Sequence, residues 1–85
     1  MPNKNYIKGR KKEYKILNEA RGLGFTALRS AGSHSPIDVV IIDTIERTIR
    51  FVQCKPDSMS EKKREALRQE NNLLNGVFQC RFEVI

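Results

Sequence analysis

Six consecutive positions, Ile37-Asp38-Val39-Val40-Ile41-Ile42, hold β-branched side chains everywhere except for one carboxylate. Such a run is predicted to form a central strand, because stiff branched residues fit a pleated surface covered on both sides. A second strand-like run covers residues 48–55 and ends at Pro56. The connection over residues 43–47 is too short for a crossover, so the two strands must pair antiparallel. Asp38 stands near the start of one strand and Lys55 at the end of the other. The hairpin therefore brings both to one edge of the sheet.

The rest of the chain reads as elements that could cover this hairpin. Residues 5–22 carry Leu17, Ala20 and the flanking Ile16 at helical spacing, and Gly22 and Gly24 supply a stop. Residues 25–29 read as a short strand, and the following Ser30-Ala31-Gly32-Ser33-His34-Ser35-Pro36 is rich in turn formers. Ser58 followed by Glu61 has the form of a capping box, which predicts a helix over residues 59–74 closed by Asn75-Gly76. Over residues 77–84, Phe78, Cys80, Phe82 and Val84 alternate with polar residues, the pattern of a half-buried strand. The predicted order is α-β-β-β-α-β in one domain spanning residues 1–85, an α/β fold with a mixed sheet flanked by helices.

A chain of 85 residues has little surface to bury. Its two cysteines, Cys54 and Cys80, are too few for a disulfide framework and fit a reducing compartment. Self-association is one way to complete so small a core. The first residues are basic and polar with no apolar signal region, and no window approaches a membrane span. A soluble cytoplasmic protein is expected.

The net charge of +6 is unevenly distributed. Lys4, Lys8, Arg10, Lys11, Lys12 and Lys15 crowd the first fifteen residues, and Lys62, Lys63, Arg64 and Arg68 form a second group. Clustered positive charge is the footprint of a phosphate-binding surface, although a solvated, solubilising face has the same composition.

Four residues in three places carry the chemistry. A carboxylate at the mouth of an apolar strand is costly unless it is solvated, paired or bound to a metal, which singles out Asp38; a cap on the Ser35-Pro36 turn is the alternative. Gln53 and Lys55 lie two apart in a strand and share a face. Glu13 shares a helix face with Leu17 and Ala20, with Gly9 one turn earlier permitting a close approach; the alternative is a surface pair with Arg10 or Lys12. Hard oxygens from Asp38, Glu13, the Gln53 amide and the Cys54 backbone carbonyl suit Mg²⁺. Beside such an ion, Lys55 would steady charge growing on a phosphate.

These residues resemble a known pattern. Asp38, then fourteen residues, then Gln53-x-Lys55 is similar to the PD-(D/E)xK nuclease superfamily, and more narrowly to the Holliday junction resolvases of archaea and their viruses, with phage relatives. Lys8-Gly9 with Glu13, Gly24-Phe25, Arg29-Ser30-Ala31-Gly32-Ser33, Pro36-x-Asp38-Val39-Val40 and Phe51-Val52-Gln53-Cys54-Lys55 carry the likeness over most of the first sixty residues. The resemblance implies a small restriction-endonuclease-like fold. It implies that Glu13, Asp38 and the Gln53 position bind Mg²⁺, with Mn²⁺ able to substitute, that Lys55 is the catalytic lysine, and that Ser33 approaches the scissile phosphate. It further implies a homodimer cutting four-way DNA junctions by paired nicks, in an archaeal, viral or phage setting. DNA contacts would fall on Lys8, Arg10, Lys11 and Lys12 of the helix and on Arg29, Ser30, Ser33 and His34 at the loop. His34 would serve as a phosphate contact or proton shuttle, or be an ordinary loop histidine.

Two features depart from the pattern. Gln53 stands where Glu is commoner, removing a negative charge, which implies weaker metal affinity. The chain is also shorter than typical resolvases. Two other functions are compatible with the residues: a nonspecific, flap- or nick-directed nuclease, and a DNA-binding module that has kept the fold and lost the chemistry.

Overall fold

A computed structural model describes residues 4–30 and 35–85, with side chains described from residue 8 onward. Its elements are α1 (Lys4–Gly22), β1 (Thr26–Arg29), β2 (Val39–Asp43), β3 (Thr48–Val52) and α2 (Glu61–Glu70), followed by one 3₁₀ turn at Asn72–Leu74. The fold combines two helices with a three-stranded antiparallel sheet of order β1-β2-β3. No helix among the described residues is long and apolar enough to cross a membrane.

The central place of β2 follows from its sequence. Arg29 pairs with Val39 on one side and Val52 pairs with Val39 on the other, so β2 is flanked along its length. Val39 and Ile41 face α1 and are buried with Leu17, Ala20 and Ala27. Ile16, Phe25 and Val52 close the sides of this cluster. The small side chains of Ala20 and Ala27 let α1 lie close over the sheet.

The α1 terminus fixes how the helix meets β1. Phe25 N–H donates to the Ala20 carbonyl at 3.1 Å and Gly24 N–H to the Arg21 carbonyl at 3.0 Å, the paired bonds of a Schellman stop. Gly24 has φ 89°, a conformation that glycine adopts without strain. The stop expected at Gly22 and Gly24 is thus realised, and it delivers Phe25 directly to the core. Arg21 then donates to the Ala27 carbonyl at 3.0 Å, tying the helix end to β1.

At the β2–β3 turn, the Asp43 carboxylate accepts the Ile45 and Glu46 N–H groups at 3.0 Å each. Arg47 completes the turn with φ 58°. That left-handed conformation costs an L-residue with a Cβ roughly 1–2 kcal/mol.

Beyond Val52 the sequence expectations need correction. The second helix starts at Glu61, with Ser60 rather than Ser58 as its cap; Ser60 Oγ accepts the Lys63 N–H at 3.3 Å. Arg64 explains the shift. Its guanidinium donates to the Pro56 carbonyl at 2.7 Å and the Met59 carbonyl at 3.3 Å, holding residues 56–59 as a turn ahead of the helix. The helix also ends early, at Glu70, where Asn71 donates to the Leu67 carbonyl from both its backbone and its side-chain amide.

The expected strand over residues 77–84 is absent. Residues 77–85 have no regular structure and are exposed along their length. The alternation of Phe78, Cys80, Phe82 and Val84 supplies an apolar face, but no second layer covers it, because α2 buries no residue. A strand with neither a ladder nor a cover gains nothing from being extended. Among the described residues the sheet is accordingly antiparallel rather than mixed.

Candidate functional site

The Asp38 environment begins with a break in the ladder. Val39 pairs with Val52, and the Asp38 N–H also donates to the Val52 carbonyl at 2.8 Å. Two successive residues on one side thus meet one on the other, a bulge-like end to the ladder that re-aims the Asp38 side chain. The Asp38 carboxylate folds onto the facing segment, where Oδ2 accepts the Cys54 N–H at 2.8 Å. On its other side the Asp38 carbonyl accepts the Ser30 N–H at 2.9 Å. Among the described residues Asp38 has no bond that caps the Ser35-Pro36 turn. Ser35 caps it itself, its Oγ accepting the Ile37 N–H at 3.0 Å.

The bulge ends both strands short of the predicted limits. Residues 37–38 and 53–55 lie just outside the ladder, and they face each other there. The hairpin argument therefore holds in its main consequence: Asp38 sits against the Gln53-Cys54-Lys55 segment. Gln53 and Lys55 line a cavity of about 640 Å³ between β3 and α2. Lys55 also reaches a second cavity of about 1240 Å³ between α1 and residues 54–58. It is the cation that both cavities share.

Glu13 approaches from α1. Its carboxylate pairs with Arg29 at 2.8 Å, neither with Arg10 nor with Lys12, and the two side chains are only 17% and 20% exposed. Screening by water is reduced at that depth, so this pair holds more firmly than a surface one. Arg29 also lies over the Tyr14 ring at 4.9 Å, and Arg10 lies 5.7 Å from the same ring centre. The two guanidiniums lower the Tyr14 pKa, first through a hydrogen bond from Arg10 and then through the charge of Arg29. Tyr14 was not selected from the sequence, though the i,i+4 spacing of Arg10 and Tyr14 on one helix was a usable signal.

The Cys54 thiol feels the charge of both carboxylates. Its pKa is raised, mainly by burial, then by the charge of Asp38 and then by that of Glu13, with Lys12 opposing. Among the described residues no three His, Cys, Asp or Glu side chains converge into a metal cage. Any oxygen set here needs the neutral donors, the Gln53 amide and the Cys54 carbonyl. Two carboxylates with neutral oxygens form a hard donor set, which fits Mg²⁺ or Mn²⁺ in kind.

The basic residues separate into two groups. Lys8, Lys11, Lys12 and Lys15 line the cleft beside residues 54–58, whereas Arg10 and Arg29 gather around Tyr14. Lys12 Nζ donates to the Lys55 carbonyl and to Asp57 Oδ1, both at 2.7 Å, and so pins the segment that follows the candidate site. That contact holds the Asp57 carboxyl below its ordinary pKa. Gly9 does not serve the close approach expected of it: a Cβ there would meet nothing within 4 Å among the described residues. Ser33 and His34 lie outside the described residues.

No protein-family model, curated protein or solved structure matches this chain. What the site does must therefore be argued from its own residues.

Proposed function

We propose that this chain is a metal-dependent DNA endonuclease of the PD-(D/E)xK type, with the restriction-endonuclease-like fold in a minimal form and four-way junctions as its substrate. The observation that carries the reading is the Asp38 carboxylate set 2.8 Å from the Cys54 N–H, between Gln53 and Lys55. Phosphodiester hydrolysis needs an acid and an ammonium group at one edge, within reach of a basic cleft, and this arrangement supplies both.

In this reading Asp38, Glu13, the Gln53 amide oxygen and the Cys54 carbonyl hold a divalent ion. Once bound, the ion lowers the pKa of a water molecule and neutralises charge on the phosphate. Lys55 places its ammonium group against the phosphate as charge develops. Lys8, Lys11 and Lys12 hold the neighbouring backbone phosphates, and Arg10, Arg29 and Ser30 hold the strand on the other side; the resemblance adds Ser33 and His34 to the DNA contacts. Two copies would carry two such sites to the arms of a branch.

The test is a substrate panel. Junction, flap, nicked and linear duplexes are incubated with Mg²⁺ or Mn²⁺, and the same sample is sedimented to establish its oligomeric state. Preferred cutting of the junction by a dimer is expected. Faster cutting of flap or nicked DNA would reassign the substrate within the same chemistry.

One observation favours a second reading, a DNA-binding module without catalysis. The Glu13 carboxylate is already paired with Arg29. Calorimetry with Mn²⁺ separates the two: binding that Asp38→Ala removes and Gln53→Glu tightens supports the enzyme, and no binding supports the module.

A further inference from the structure

The cavity between β3 and α2 contains more than the candidate catalytic pair. Its lining includes Arg50, Lys55, Arg64 and Arg68 and no carboxylate. Arg68 is neutralised by Glu61 at 2.6 Å and Glu65 at 2.9 Å. Arg64 is different: its partners are the carbonyls of Pro56 and Met59, which carry no formal charge. Among the described residues no carboxylate lies within ion-pair distance of Arg50, Lys55 or Arg64. Lys55 and Arg64 thus share one groove without an ion-pair partner, whereas Arg50 stands opposite the buried Ile41 and so belongs to the α1 face of the sheet.

The floor of the groove is apolar. Phe51 lies on the sheet face turned away from α1, since its ladder partner Val40 alternates with the buried Val39 and Ile41. Its ring is 36% exposed although it stands in the middle of the hairpin. An exposed aromatic ring beside unpaired cations is the combination that holds unpaired nucleic acid: cations follow the phosphates and the ring stacks on a base. A duplex would not use it, because its bases are already stacked on one another. The volume of about 640 Å³ is that of a small-ligand site.

We propose that this groove binds an unpaired DNA strand, with its phosphates on Lys55 and Arg64 and one base stacked on Phe51. The assignment to DNA rests on the nuclease reading, whose candidate residues Gln53 and Lys55 line the same groove. The binding itself needs no metal and no chemistry. A strand held there would leave the sheet edge past Asp38, so an unpaired segment next to a branch would be seated at the candidate site.

The experiment is fluorescence anisotropy of the full chain in EDTA, using labelled oligothymidylate, its RNA counterpart and a duplex of equal length. Single-stranded DNA is expected to bind at least about 5-fold tighter than duplex. Phe51→Leu should weaken that binding by roughly 5- to 150-fold, the factor for one lost base stack, and Phe51→Tyr should restore it. Lys55→Gln should reduce the dependence of log affinity on log salt by about 0.7, one single-strand phosphate contact. Circular dichroism confirms that each variant is folded. Equal affinity for duplex and single strand, or wild-type affinity in Phe51→Leu, overturns the groove assignment; preference for RNA overturns the assignment to DNA. Because EDTA prevents cutting, a failure of the nuclease reading leaves this measurement intact.

Discussion

Residues 4–52 and residues 53–85 both contain apolar side chains at regular spacing, yet only the first set finds partners. Leu17, Ala20, Ala27, Val39 and Ile41 are buried together, whereas α2 buries nothing and residues 77–85 are exposed throughout. The difference lies in what each pattern faces. The α1 stripe and β2 meet through a Schellman stop and a ladder that fix their geometry. The alternation of residues 77–84 meets no ladder, and α2 offers one Leu and one Ala among charged residues. Local pattern proposes an element, but burial requires a second surface. The radius of gyration of 14.3 Å has the same origin, being larger than the roughly 12 Å of a compact chain of this length.

Predictions follow from this contrast. Ile41→Ala removes three buried carbon atoms from a five-residue cluster and should cost about 2–5 kcal/mol, enough to abolish a cooperative thermal transition. Deleting residues 77–85 should shift Tm by less than about 4 °C, corresponding to under about 1 kcal/mol. A fall beyond 10 °C on that deletion would show that the tail has a partner in solution.

The two cysteines report the same contrast chemically. Cys54 is partly buried, and its raised pKa leaves less thiolate near neutral pH; Cys80 is exposed. Timed iodoacetamide labelling at pH 7.5 with mass spectrometry should find Cys80 modified at least about tenfold faster, because only the thiolate reacts. Equal rates would mean that the bulge region opens as readily as the tail.

The smallest effects concern the backbone. Arg47→Gly should raise stability by about 1 kcal/mol by relieving the positive φ. Gly9→Ala should raise it by about 0.5–1 kcal/mol, since the added methyl group meets open space within a helix. Denaturant melts of the two variants measure both.

How much was legible in the sequence depends on whether a short turn fixes which residues face each other. The hairpin, the α1 stop and the meeting of Asp38 with residues 53–55 follow from such turns, and the sequence carries them. The bulge at Asp38 does not follow, because it depends on which carbonyl of β3 each N–H meets. The Glu13–Arg29 pair joins a helix to a strand across sixteen positions, and only packing selects Arg29 over Arg10 and Lys12. The cap on α2 moved from Ser58 to Ser60 because Arg64, inside the helix, grips the turn before it. The uncompensated cations of the β3–α2 groove were likewise hidden, since Lys62, Lys63, Arg64 and Arg68 read as one cluster while the fold separates them.

The central claim is that Asp38, held at the bulge, is part of a hydrolytic centre. Its most direct test is the rate at which a labelled four-way junction is cut with Mn²⁺ by the wild-type chain and by Asp38→Ala, with folding of both checked by circular dichroism. Cutting by the wild type and at least a hundredfold loss in the variant is the predicted result. Equal rates for the two folded proteins, or no cutting by the wild type under Mg²⁺ or Mn²⁺, would contradict it.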